Sequence, residues 1–266
     1  MVEPGGDCIW PGANHRRLAT ALSSPTYSII IPAYNEGARI GSALERVLRH
    51  VREQGWNAEV IVVNDGSQDN TLEVVREYAE RNPGLRVVEN PGNRGKGYSV
   101  RNGMLKASGQ VLLFSDADMS SPIEEAAKLF AAISQGADVA IGSRWLQSEL
   151  QTQRQPWYRQ LFGRLFNMTV RLTLGLKYTD TQCGLKAFRR EAARKIFAKQ
   201  KIERWGFDPE LLVLADRFGF KVKEVPVSWA HDERSRMNYF RDGVDMLGEI
   251  LKIRWNAISG KYRDSG

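Results

Sequence analysis

"VLLFSDADMSSP", residues 111–122, decides how this chain is read. An apolar run from Val111 to Phe114 has the character of a buried strand, and it stops at Asp116 and Asp118, one residue apart. Residues two apart in an extended segment face the same side, so the two carboxylates are expected to share one direction. Like charges so placed disfavour each other's ionisation unless a cation lies between them. Hard divalent ions take oxygen ligands, and magnesium commonly combines one or two carboxylates with substrate phosphates. The stretch therefore predicts Mg2+ or Mn2+ on Asp116 and Asp118, shared with a bound diphosphate.

Working outward, the same pattern repeats. "YSIIIPAYNE" from Tyr27 and "AEVIVVNDGS" from Ala58 are apolar runs that also end in polar loops, and "ADVAIGSR" from Ala137 is another. Between them lie segments of helical periodicity, such as Ile40, Leu44, Val47, Leu48 and Val51. Strands that are apolar throughout and alternate with helices predict an α/β fold with a mostly parallel sheet covered on both faces. In such sheets ligands bind at the carboxyl ends of the strands. Those ends carry "PAYNE", "NDGS", "SDAD" and "GSR", so the cleft is expected there.

Composition narrows the partners. The 266 residues carry a net charge of +7 with a pI near 9.5, which suits nucleic acid, anionic lipid or a phosphorylated small molecule. A nucleic-acid-binding module should spread basic residues over one face with interleaved aromatics; acids at most strand ends argue against it. Two cysteines, Cys8 and Cys183, make no disulfide framework and suggest a reducing compartment. Residues 1–25 lack a signal-peptide core and are expected to form a loose arm, leaving 26–266 as one domain. No apolar run reaches the roughly 18–20 residues that span a bilayer. The segment 154–176, with arginines at 154, 159, 164 and 171, and the closing segment 238–262 are candidate amphipathic helices for a membrane surface; ordinary packing on the domain is the alternative.

Several motifs have two readings. Asp65 in "NDGS" suits a turn or an acceptor for a base N–H. In "PAYNE", Tyr34 suits base stacking and Glu36 a ribose hydroxyl, while Asn35 is a plausible helix N-cap. "PGNRGKGYS" is glycine-rich and holds Arg94 and Lys96, but Tyr98 stands where a phosphate-binding P-loop needs Ser or Thr after Lys. Cys183 reads as a small packed residue, because no His lies near it in sequence.

Taken in order, "PAYNE", "NDGS", "GNRGKG", "DAD", "GSR", "DTQCG-K" and "ERWGFD" resemble the family 2 glycosyltransferases, and within them the dolichyl-phosphate glucosyltransferase and mannosyltransferase branch. "DTQCGLKAF" and "ERWGFDPELL" look most like the glucosyl members. The likeness runs from about Tyr27 to Tyr262. It implies a GT-A fold and a metal-dependent, inverting transfer of a hexose, foremost glucose from UDP-glucose, to a polyprenyl phosphate. Transfer to a soluble sugar or protein acceptor, or from a mannose donor, are the alternatives. Carried over by residue, Pro32, Tyr34, Glu36 and Asp65 would hold the nucleoside with Lys96 near it. Asp116, Ala117 and Asp118 would contact ribose, diphosphate and metal. Arg144 would face the acceptor phosphate, Asp180 would be an active-site acid, and Trp205 and Asp208 would line the sugar pocket. Where mannosyl members often carry Gln as a further metal ligand, Ser120 stands here, which leaves the coordination open and disfavours mannose.

Three expectations complete the picture. The loop 231–242 would close over the diphosphate with Arg236, or Arg234, on the leaving group. A lipid phosphate, with a second pKa of about 6, would need no general base: Arg144, alone or with Arg159 or Arg164, would hold it and Asp180 would orient an arginine or the metal site; a sugar hydroxyl would need Asp180 or Asp208 as base. Basic helices with Trp157 and Trp255 would hold the protein at the cytoplasmic face of a membrane.

Overall fold

The computed structural model describes residues 24–147, 149, 151–153, 157–230 and 239–263. Five of the apolar runs become parallel strands: β1 (Tyr27–Ala33), β2 (Ala58–Asn64), β3 (Leu85–Glu89), β4 (Val111–Ser115) and β5 (Val139–Ser143). Helices α1 (Ile40–Glu53), α2 (Thr71–Arg81), α3 (Lys96–Lys106) and α4 (Ala126–Ser134) connect them. A short pair, β6 (Gln151–Gln153) and β9 (Trp229–Ala230), lies outside the main sheet. The second half adds α5 (Trp157–Leu174), β7 (Leu185–Arg189), α6 (Arg190–Lys199), α7 (Phe207–Arg217), β8 (Val222–Pro226) and α8 (Tyr239–Ile258).

The seven-stranded sheet runs β3-β2-β1-β4-β7-β5-β8. Its core divides by face. Ile29, Ile31, Val60, Val62 and Leu113 pack under α1 and α4, and Ile30, Ile61, Val63, Leu112 and Phe114 pack under α3, α6 and α7. This is the period of two expected when both faces of each strand are buried. The expected α/β architecture is the one observed.

The sequence reading missed β7. It lies in the middle of the sheet, antiparallel to both β4 and β5. Its "LKAFR" holds a lysine where a central strand calls for an apolar residue, which hid the run. Lys186 is fully buried there, with its ammonium on the Asp208 carboxylate and the Cys183 carbonyl (2.7 Å). Because β7 runs against its neighbours, its first residue lies level with their last: Ser115 pairs with Leu185. The turn before β7 therefore reaches the carboxyl edge, where the polar loops gather.

Two helix readings change. Asn35 does not cap α1, which starts at Ile40; it sits at φ 53° and braces the neighbouring loop through Ser67 and Gln68. The candidate amphipathic helix of the closing segment divides on α8: Met246 and Ile250 face the core, whereas Leu247, Leu251 and Ile258 are exposed.

Candidate active site

The carboxyl edge assembles from the β4 end outward. The strand stops at Ser115, so Asp116 and Asp118 are brought together by a tight turn and not by the pleat that the sequence suggested. Ala117 between them is buried, the Met119 N–H donates to the Asp116 carbonyl at 3.1 Å, and Met119 takes a left-handed φ of 52°. That conformation is unusual for a side chain of this size. Ser120 N–H caps the Asp118 carboxylate at 2.9 Å. Burial and the Asp116 charge raise the Asp118 pKa above the ordinary carboxylate value, against the pull of Ser120, Lys96 and Arg39.

Asp116 is enclosed on two sides. Lys96 Nζ lies 2.6 Å from its Oδ1. On the other side, a Cβ built on Gly184 would fall 2.0 Å from Oδ2, so only glycine before β7 leaves room for this carboxylate. Gly184→Ala should displace Asp116 by an ångström or so, and a shift of that size costs roughly 100-fold in turnover. Kinetics on a variant of unchanged melting temperature would check this.

The "GNRGKG" loop has a structural explanation that its composition did not give. Side chains at Gly95 and Gly97 would strike the carbonyls of Glu203 and Ile202 at 2.5 and 2.7 Å. The glycines let the segment 202–205 close on the start of α3, where Tyr98 N–H donates to the Glu203 carbonyl at 2.9 Å. Trp205 is thereby set beside Lys96, its ring 5.5 Å from the ammonium and 40% exposed. Glu210, fully buried and unnoticed in the sequence, holds this segment by accepting Lys201 N–H and Ile202 N–H at 2.9 Å each and the Tyr262 hydroxyl at 2.5 Å.

Asp65 organises the same loop. It accepts Asn90 Nδ2 (2.7 Å), Arg94 N–H (2.9 Å) and Gly95 N–H (2.7 Å). A carboxylate has about four lone-pair sites, so one direction is left for a ligand N–H. Pro32 lies in β1, Tyr34 just beyond it is 37% exposed, and Glu36 grips Arg39 in a two-point ion pair. Ala117, Asp65 and these three stand at the ends of β1, β2 and β4.

Across the edge, Arg144 follows β5. Its backbone N–H, Nε and Nη2 all donate to Asp180, at 3.0, 2.7 and 2.8 Å. Burial works against both charges, but the pair outweighs it: Asp180 is held below the ordinary carboxylate pKa and Arg144 above the ordinary guanidinium value. Neighbouring elements clamp the turn that carries Asp180. Glu224 on β8 accepts Thr179 N–H (2.8 Å) and Asp180 N–H (3.0 Å), and Asn167 on α5 binds the Thr179 carbonyl (2.7 Å) and the Thr181 hydroxyl (2.8 Å). The rings of Trp145 and Trp229 flank the guanidinium at 5.9 and 5.8 Å, and Arg164 of α5 reaches the same Trp145. Asp208, at the start of α7, is 4% exposed and paired with Lys186. Both acids considered as bases are thus bound to cations, and the Arg144 partner makes Asp180 a poor proton acceptor.

Burial raises the Cys183 thiol pKa, in keeping with a packed residue. Arg234, Arg236 and His231 lie outside the described residues, as do Arg154, the N-terminal arm before Ser24, and the side chains of Trp157 and Arg159.

A model of the family described as "Glycosyl transferase family 2" matches residues 28–197. The chain belongs to glycosyl transferase family 2. Among its relatives, the dolichyl-phosphate beta-glucosyltransferase of Drosophila melanogaster is 36% identical over 249 residues, covering 89% of this transferase and 76% of that protein. Its Homo sapiens counterpart is 33% identical over 262 residues, covering 92% and 81%. One from Trichomonas vaginalis is 38% identical over 222 residues, 79% of this chain and 65% of its own. The branch suggested by the motif order is therefore the one in which these relatives fall. Among solved structures, glucosyl-3-phosphoglycerate synthase from Mycobacterium tuberculosis superposes with a TM-score of 0.62 at 22% identity, covering 98% of this chain and 88% of that one, in a complex with Mn2+, UDP and glucosyl-3-phosphoglycerate. The same enzyme bound to UDP gives 0.64 at 21%, covering 93% and 87%. These matches establish the GT-A-like fold.

Proposed function

We propose that this family 2 transferase moves glucose from UDP-glucose to a dolichyl-type polyprenyl phosphate, with inversion, in a reaction that requires Mg2+ or Mn2+. The observation that carries the acceptor assignment is the state of the two candidate bases. Asp180 is tied to Arg144 and Asp208 to Lys186, an arrangement that suits an acceptor arriving already ionised. A phosphate monoester with a second pKa of about 6 is such an acceptor. A sugar hydroxyl is not, because it must lose a proton.

The metal reading rests on the donor set. Asp116 and Asp118 form a crowded carboxylate pair whose second member resists ionisation, which is the environment a cation relieves. Among the described residues no group of three or more His, Cys, Asp or Glu forms a self-sufficient metal site. Two carboxylates completed by substrate phosphates match the habit of Mg2+. Bound there, the ion would supply Lewis-acid stabilisation of the charge that grows on the departing diphosphate. The chain's own groups do the rest in this proposal. Tyr34, Glu36, Pro32 and Asp65 hold the nucleoside, Lys96 stands beside the diphosphate, and Trp205 walls the sugar. Arg144, fixed in direction by Asp180, grips the acceptor phosphate against the field of the donor. Arg236 remains our proposed contact to the leaving group.

Access to a lipid is supported by two helices that pack on each other, α5 and α8. Leu161, Leu165, Met168 and Leu172 form an exposed stripe at helical spacing on α5, with Phe162 68% exposed beside it. Val244, Leu247, Leu251, Trp255 and Ile258 form another on α8. No helix among the described residues is long and apolar enough to cross a membrane; the contact we propose, through these two stripes, is with the surface of the cytoplasmic leaflet. Vesicle flotation should show binding that rises with anionic lipid and falls with salt. Replacing Leu251 and Trp255 together by glutamate should abolish it while leaving the melting temperature within a few degrees, since exposed substitutions change stability by about 0.5 kcal/mol or less.

Incubation with labelled UDP-glucose or GDP-mannose, dolichyl phosphate and MnCl2, followed by organic extraction, tests the reaction. Labelled glucose in the lipid phase is expected. Preference for the mannose donor, or label appearing only on water-soluble acceptors, would refute the assignment.

A further inference from the structure

Lys96 is placed against its local preference. It is the first residue of α3, whose first turn contains no acid, and a helix N-terminus favours negative charge. Its side chain is only 18% exposed, so water does little for the ammonium. What holds it is the metal pair itself. Nζ sits 2.6 Å from Asp116 Oδ1, and the charges of Asp208 and Asp118 add to the attraction. The rings of Trp205 and Phe207 close the other side at 5.5 and 5.9 Å.

This geometry bears on the order in which ligands enter. Asp116 Oδ2 is pressed against Gly184 and Oδ1 is occupied by the ammonium. A divalent ion at Asp116 must therefore contend with Lys96 for Oδ1, because two cations on one oxygen repel. The displaced ammonium then needs another anion. Asp208 is matched by Lys186 and Asp180 by Arg144, which leaves the diphosphate of an incoming donor as the counter-ion of suitable charge.

We propose that Lys96 is the resident cation of the Asp116–Asp118 pair: it holds Asp116 until a nucleoside diphosphate arrives, then passes to the diphosphate and releases Asp116 to the metal. The nucleotide and the divalent ion consequently bind with strong positive coupling, and the ion binds poorly alone. This rests on the metal reading given above and adds the order of binding to it.

Mn2+ titrations followed by electron paramagnetic resonance, with and without UDP, test it on the purified protein. For the unaltered chain, UDP should tighten Mn2+ binding by about 10-fold or more, within the usual range of coupling between sites. Lys96→Met removes the charge and keeps the length. It should bind Mn2+ without UDP about 10-fold more tightly than the unaltered chain, and UDP, whose phosphates still complete the ion's ligands, should tighten the binding by a smaller factor than in the unaltered chain. Lys96→Arg keeps the charge and should behave like the unaltered chain; Lys96→Gln is the second neutral variant should the methionine protein not fold. Equal Mn2+ affinity with and without UDP in the unaltered chain, or no tightening in either neutral variant, overturns the role of Lys96 while leaving the metal site intact. Absence of Mn2+ binding at millimolar concentration even with UDP removes the metal reading itself, and this inference with it.

Discussion

Asp118→Asn should reduce glucosyl transfer by about 1,000-fold or more, the scale associated with losing a group that stabilises developing charge, and should do so without unfolding the protein. The two halves of this expectation come from the same geometry. Asp118 is buried beside Asp116, and its folded-state pKa is raised above the unfolded value. At neutral pH its ionised form therefore opposes folding. Asparagine removes that repulsion, so the melting temperature should hold steady or rise, a common trade between stability and activity. Thermal melts without divalent ion and transfer assays at saturating MnCl2 would decide. Retention of a tenth of the activity would mean that the DxD turn does not bind the ion.

Arg144→Ala is the second large effect, and here stability should fall with activity. The substitution strands Asp180, which is 1% exposed and takes three hydrogen bonds from Arg144; the backbone bond would survive, but the charge would be unpaired. Breaking a buried pair in this way costs about 3–5 kcal/mol. Because the folded Asp180 pKa is depressed, the pair's stabilisation is present above the ordinary carboxylate range. It is lost as pH falls through the depressed folded value. The variant should lose that acid dependence. The double variant Arg144→Met with Asp180→Asn removes both charges and should recover most of the stability but none of the lipid transfer. UDP affinity should stay near that of the unaltered chain in the double variant. Recovery of transfer along with stability would show that Arg144 is structural and grips no acceptor. Lysine at 144 should fail nearly as badly as alanine in transfer, since it cannot reproduce a two-point grip.

Much of this fold was readable from the sequence because its physical signals are local. The β1, β2, β4 and β5 runs are apolar on both faces, and each stops abruptly at a polar loop. What stayed hidden was non-local. Lys186 disguised a central strand, since its justification, Asp208, lies 22 residues away. Nothing local marks Glu224 or Glu210 in the sequence, yet one clamps the Asp180 turn and the other the segment before Trp205. Gly184 carries no local signal either, and its reason is an aspartate 68 positions earlier in the chain. The motif order brought Asp116, Lys96, Asp180, Arg144 and Asp208 together on the page. It could not say which acids were already paired with cations, and the proposed ionised acceptor rests on that pairing.

The central position of β7 also dictates a sequence of assembly. Strands β1 to β4 neighbour one another and are complete by residue 115, so this first block has its pairing partners early. β5 has no such luck: its neighbours are β7 and β8, made 42 or more residues later. A ribosome delivering the chain from its amino end, at roughly 5–20 residues per second, leaves β5 without its neighbours for several seconds, with Val139, Ala140 and Ile141 uncovered. During synthesis the vulnerable species is this half-built sheet, and nascent-chain chaperones would find their target between residues 139 and 143.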